Sequence, residues 1–99
     1  MATGWLIGVM VELAGEPAAL RHFFAVGFGD RAKAEWSAVD SALGIGGVAA
    51  SPVGGLEPVH AVAALSARTV GMLGLKPKEV RSLGWRWPRK WISLEPPPA

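Results

Sequence analysis

The densest chemistry in this chain lies in eight residues, Gly84-Trp85-Arg86-Trp87-Pro88-Arg89-Lys90-Trp91. Three of the five tryptophans and three of the ten basic residues fall there. Indole faces stack on nucleobases while arginine and lysine hold the phosphates between them, the usual chemistry of single-strand binding. The same composition suits an anionic membrane surface, although Pro88 prevents one continuous amphipathic helix through the segment. The competing reading is structural. Trp85 and Trp87 then pack onto a sheet, where tryptophan commonly covers the edge of a small core, and the cations remain solvated.

Other constellations offer less. His22 and His60 fall in strand-like stretches and meet if those strands are neighbours. Zinc, however, wants three or four ligands in a tetrahedral arrangement. Only Glu12, Glu16, Asp30 and Glu57 are available to complete such a set, and their spacing matches no ligand pattern. Each histidine therefore reads as a surface or strand-edge residue. The chain has no cysteine and no tyrosine, which removes a disulfide framework, a thiolate zinc site and a Cys nucleophile. Ser37, Ser41, Ser51, His60 and Asp40 supply the residue types of a serine triad, as most chains of this length would. No GxSxG elbow, P-loop or HExxH motif accompanies them. Gly44, Gly46 and Ala49 spell GxGxxA, but a dinucleotide site needs a strand before that string and a helix after it. Here a helix precedes and Ser51-Pro52 follows. The expectation is a non-enzyme with no cofactor and no metal.

The stretch Ser66–Leu83 carries a more specific pattern. Leu73-Gly74-Leu75, followed by Val80 and Leu83, resembles the helix-turn-helix family, in which a turn glycine sits between apolar residues and packing positions follow on the second helix. The resemblance covers 18 of 99 residues. It implies that Gly74 is the turn, that Lys76–Leu83 opens a recognition helix, and that Lys78 and Arg81 point toward phosphates or base edges. The chain departs from the family where a small alanine is usual, having Val70 beside Gly71. Gly84 and Pro88 also cut the second helix short. The alternative is a helix–turn element closing a small sheet, with Leu73, Leu75, Val80 and Leu83 in the core.

Composition bounds these readings. Ninety-nine residues, 51% hydrophobic and 18% charged, make one globular domain and not a disordered chain. The formal charge of +2 conceals a division. Residues 1–67 carry three basic and six acidic groups, a balance of −3, and residues 68–99 carry seven basic and two acidic, a balance of +5. Either the basic end faces an anionic partner or the two ends attract each other. No basic residue precedes Arg21, and the apolar run Trp5–Val11 stops at Glu12, so the pattern is not that of a secretory signal. No stretch is long and apolar enough to span a bilayer. A cytoplasmic location is expected.

Periodicity supplies the elements that must position these residues. Trp5, Ile7, Val9, Val11 and Leu13 alternate, predicting a strand over 4–13. Phe24, Val26 and Phe28 alternate with Phe23, Ala25 and Gly27, and the short link through Gly15-Glu16-Pro17 makes the pair an antiparallel hairpin. Asp30 caps a helix over 31–43, with Ala32, Trp36, Val39 and Leu43 on one stripe and Gly44 as a left-handed C-terminal residue. Gly44–Leu56 reads as a long glycine-rich loop, functional or mobile. A strand over 57–65 follows, positioned to return parallel to the first or second strand. Ser66 caps a short helix over 67–73. Beyond Gly74 the pattern fits either a helix over Lys76–Leu83 or a strand over Val80–Trp87.

The expected architecture is therefore α+β: a small antiparallel or mixed sheet with a β-β-α-β core under one main helix, then a short helix-turn element or edge strand. The single domain spans 1–92, and 93–99 forms a disordered proline-rich tail. Trp36, Val39 and Leu43 should cover one sheet face. Leu6, Met10, Phe23 and Ala25 should leave the other face apolar and open to self-association. Two functions follow. The first is an interaction or regulatory domain with a protein partner, in particular a homodimer. The second is a nucleic-acid-binding protein using Lys78, Arg81, Trp85, Arg86, Trp87, Arg89, Lys90 and Trp91.

Overall fold

The computed structural model describes residues 3–52 and 55–85. Their order is β1 (Gly4–Glu12), β2 (Leu20–Val26), α1 (Arg31–Leu43), β3 (Gly47–Val48), β4 (Val59–Leu65), α2 (Ala67–Leu73) and β5 (Val80–Gly84). The fold is α+β, with five strands in one antiparallel sheet and two helices. No helix among the described residues is long and apolar enough to cross a membrane. The tail over 93–99 and the site residues Arg86, Trp87, Arg89, Lys90 and Trp91 lie outside the described residues.

β1 and β2 form the expected hairpin, with Ile7 opposite Phe24 and Trp5 opposite Val26. On β1's other side lie β4, with Val9 opposite Val59, and β3, with Val11 opposite Val48. Met10 joins the two: its N–H donates to the Pro58 carbonyl at 2.8 Å, and its carbonyl accepts from the Ala49 N–H at 3.0 Å. Residues 47–49 and 58–65 thus form one edge from which the intervening segment departs. The expected thirteen-residue loop is shorter for this reason, because β1 is longer than β4 and its last residues recruit β3 as a partner.

The strand after the helix was expected to pair in parallel. It does share β2's direction, but its hydrogen-bonding neighbour is β1, and the pairing is antiparallel. A helix about 10 Å wide spans roughly two strand spacings of 4.8 Å. The chain leaving α1 therefore comes down one strand beyond β1's near side.

Both helices start as the sequence dictates. The Asp30 carboxylate accepts from the Lys33 N–H at 3.0 Å, and the Ser66 hydroxyl accepts from the Thr69 N–H at 3.2 Å. α2 ends on Gly74 at φ +63°, the left-handed conformation that glycine adopts without steric cost. Gly44 differs: at φ −75° it stays right-handed, with its N–H still bonded back into the last turn.

α1 is turned relative to expectation. Ala34, Ala38 and Ala42 are fully buried against Ile7, Val9, Val11, Phe24 and Val26. Trp36 is 71% exposed and Leu43 59% exposed. The seven largest fully buried side chains, Phe24, Leu6, Ile7, Leu65, Val9, Val11 and Val26, all come from strands. Those side chains already fill the space between the layers, so the helix approaches on its alanines. Putting Trp36 inward would add volume to a packed core, which costs about 1–3 kcal/mol or more.

The opposite sheet face is closed, contrary to the expectation of an open apolar face. Leu6, Phe23 and Ala25 pack with Leu65 and Leu75, and Val62, Ala63, Val70, Leu73 and Leu83 surround them. Met10 is buried as well. α2 and the residues after it fold back over this face, so the chain covers it without a second copy.

The predicted recognition helix is β5. Lys78 stands at φ +67°, outside helical space. Its N–H donates to the Gly27 carbonyl at 2.8 Å, and the Gly27 N–H donates to the Glu79 carbonyl at 2.8 Å. A side chain on Gly27 would strike the Lys76 carbonyl, which explains a glycine at this close approach. β5 then pairs with β2, Val26 opposite Val80 and Phe24 opposite Ser82. A helix here would leave the outer N–H and C=O groups of β2 unpaired, and the strand alternative satisfies them. The helix-turn-helix resemblance therefore ends at Gly74, while Leu75, Val80 and Leu83 do enter the cores as the structural alternative required.

Candidate functional site

The described members of the basic, tryptophan-bearing end are held by the fold. Arg81 donates from Nε and one terminal nitrogen to Glu79 Oε2, at 3.1 and 2.8 Å. Its remaining nitrogen bonds reach the carbonyls of Leu73 and Gly74 at the end of α2. Glu79 also accepts from the Lys76 N–H at 2.9 Å, and that bond, with the Arg81 guanidinium beside it, holds its carboxyl below the usual range. Arg81 thus ties α2 to β5. Lys78 is exposed at the turn, and Trp85 meets the His22 ring edge-on at 4.4 Å between centroids. The structure brings Arg81 to α2 and Trp85 to His22, and it places Lys78 at the separate Gly27 turn.

His22 and His60 do not meet. They lie on strands flanking β1 from opposite sides, His22 opposite Val9 and His60 opposite Gly8, so their side chains leave opposite sheet faces. Among the described residues no three His, Asp or Glu side chains gather to hold a metal.

His22 instead forms a pair that the sequence did not reveal. It is 5% exposed, stacks on Phe24 at 4.6 Å and has Nε2 2.5 Å from the Ser82 hydroxyl. Among the described residues its buried Nδ1 has no hydrogen-bond partner, and burial pushes its pKa below the usual 6.5. A serine nucleophile needs the Nε2 lone pair facing the hydroxyl, with Nδ1–H held by a carboxylate. Here a proton on Nδ1 would be a buried orphan donor, which is rarer and costlier than an orphan lone pair. The favoured tautomer carries its proton on Nε2 and donates to Ser82. That arrangement is a strand-to-strand tie and leaves the serine unactivated. Ser82 lies opposite Phe24, two residues along β2 from His22 and on the same face, so the two are diagonal cross-strand neighbours, and periodicity gave no signal for the pair.

The remaining feature is the outward side of α1. Ala32, Trp36 and Val39 of the helix, with Glu35 and with Val59 of β4, line an open groove of about 290 Å³. Leu43 extends the same helical stripe one turn further, and the exposed Ile45 follows it in sequence. The Glu35 carboxylate at its rim accepts from Arg31 Nε at 3.2 Å, so the rim carries a neutralised ion pair. The sequence identified this stripe but assigned it to the core. The signal for the alternative was the i, i+4, i+8 series Ala34, Ala38, Ala42, a second and smaller apolar stripe on the same helix. Compared with protein-family models, curated proteins and solved structures, the chain matches none.

Proposed function

We propose that this chain is a non-catalytic interaction domain whose working surface is the outward stripe of α1. The observation that carries the reading is Trp36, 71% exposed on a helix that buries only alanines toward its own sheet. A soluble domain gains nothing in stability from a large aromatic held in water, and contiguous exposed apolar surface is the usual mark of a docking site. Tryptophan is also the residue most often found at the energetic centre of an interface. Ala32, Val39, Leu43 and Val59 extend the patch, and the paired Arg31 and Glu35 give it a polar border of the kind that interfaces have.

The test exploits the absence of cysteine from the chain. Ala32→Cys places a thiol at the groove, and Glu16→Cys places one at the exposed hairpin turn. Maleimide labelling in the cells that make the protein is compared with labelling of the purified, dilute chain. Protection confined to position 32 and to the cell is expected. Equal labelling at position 32 in both settings overturns the proposal.

A further inference from the structure

We infer that Arg21 and His60 form a binding site for a phosphate group, on the sheet face opposite α1. Arg21 and Arg81 are the half-buried arginines among the described residues, whose other arginines and lysines are exposed. Arg81 has the Glu79 carboxylate and two carbonyls at the end of α2. Among the described residues the Arg21 guanidinium has no ion pair and no hydrogen bond. Its one close partner is the Phe23 ring, whose centroid lies 5.2 Å from Cζ. Burial draws its pKa below the usual arginine value, and no carboxylate acts against that shift. A cation partly withdrawn from water without a counter-charge costs stability. An anionic ligand would remove that cost.

The sheet makes room for this arginine. Arg21 stands opposite Met10 and Phe23 opposite Gly8, all on one face. Glu12 shares that face two residues beyond Met10, yet the Arg21 side chain leans the other way, over Gly8. A Cβ at Gly8 would lie 2.6 Å from Arg21 Nε. Glycine within a strand weakens it, and close approach by another group is the usual reason for one. On the far side of Gly8, β4 places His60 directly opposite, on the same face. Opposed residues hold their Cβ positions about 5 Å apart. The exposed imidazole therefore starts about 5 Å from the space that the guanidinium fills, and among the described residues it has no hydrogen bond. A guanidinium fork alone saturates a planar carboxylate. A third donor from a separate strand suits an anion whose oxygens point in three dimensions, which is a phosphate.

The test is NMR of the full chain at constant ionic strength, titrated with inorganic phosphate, glycerol phosphate or acetate. Both phosphates should give saturable shifts at the Arg21 Nε–H, the Gly8 amide and the His60 ring, with acetate about tenfold weaker. Tighter binding of the ester identifies an organic phosphate as the source, and tighter binding of the inorganic ion identifies free phosphate. Gly8→Ala keeps every charge but pushes the guanidinium from its seat. The only atoms its methyl meets closely are the flexible end of Arg21, so the fold survives. This variant and Arg21→Gln should each weaken binding roughly tenfold or more, and His60→Ala by less. The wild-type shift map is a readout that depends on no variant. Shifts that never saturate, or that persist unchanged in Gly8→Ala, mean an adventitious ion only and overturn the inference. Acetate binding as tightly as phosphate also overturns it. The site lies across the sheet from α1, so neither result bears on the interaction reading.

Discussion

The Ser82 hydroxyl on β5 lies 2.5 Å from Nε2 of the buried His22 of β2, a hydrogen bond between the two strands. The two residues are sixty positions apart in sequence, and the bond joins the edge strand to the centre of the sheet. The His22 ring has Phe24 stacked on it and the edge of Trp85 against it, and among the described residues Nδ1 has no acceptor for a second proton.

This geometry predicts a pH dependence with a definite sign. Unfolded, His22 titrates near the ordinary 6.5, and in the fold burial lowers that value. Between the two values the unfolded chain binds a proton that the folded chain refuses, so stability rises with pH. The contribution is complete above 6.5 and is lost as pH falls through the lowered folded value. Urea midpoints should decline from neutral pH toward about pH 5. His22→Phe should flatten that decline, and an unchanged slope would show that another group is responsible. Ser82→Ala, which removes the acceptor, should cost about 1 kcal/mol at neutral pH.

The orientation of α1 predicts an inversion of the usual ranking by size. Ala38→Leu enlarges a fully buried position against the sheet and should destabilise the chain by about 1–3 kcal/mol. Trp36→Ala removes far more volume, yet it should change stability by no more than about 0.5 kcal/mol. Chemical denaturation of the dilute variants checks both. A large loss from Trp36→Ala would place the indole inside the fold.

Lys78 occupies left-handed space at φ +67°, which costs a residue with a side chain about 1–2 kcal/mol. Lys78→Gly should relieve that cost against a smaller entropic penalty and stabilise by about 0.5–1 kcal/mol. The gain should appear as a higher denaturation midpoint with an unchanged denaturant slope.

Arg81 separates the structural role of the basic end from a nucleic-acid role. Its bonds to the carbonyls of Leu73 and Gly74 place a cation at the end of α2, the favourable end of the helix dipole. Arg81→Ala should therefore lower stability by about 1 kcal/mol. Were this residue a phosphate contact, the variant would keep wild-type stability and lose a salt-dependent affinity for DNA or RNA.

Much of the local structure was legible in the chain. Alternation through Trp5, Ile7, Val9 and Val11 located β1, and the side-chain caps Asp30 and Ser66 located both helix starts within a residue. These features depend on neighbours close in sequence, and their physics is complete before the chain folds. The ambiguity after Gly74 was equally genuine. Pro77, Lys78 and Glu79 tolerate a first helical turn, and only the unpaired edge of β2, some fifty residues earlier, selects the strand.

The candidate site was legible as residues and misplaced in space. Trp36, Val39 and Leu43 stood out as one apolar stripe, and the smaller series Ala34, Ala38 and Ala42, which the fold buries, did not. Spacing reports that stripes exist and cannot rank them, because which one turns inward depends on the volume already occupied by the facing layer. The sequence by itself determined a β-β-α-β chain with caps, turns and an amphipathic main helix. The tertiary structure decided that strand side chains fill the core, so the helix docks on its alanines and leaves its tryptophan outside. It also decided that α2 and Leu75 close the second sheet face, moving the exposed apolar surface from the sheet to α1. Volume and hydrogen-bond satisfaction between distant segments made those choices, and neither is a property of any local stretch.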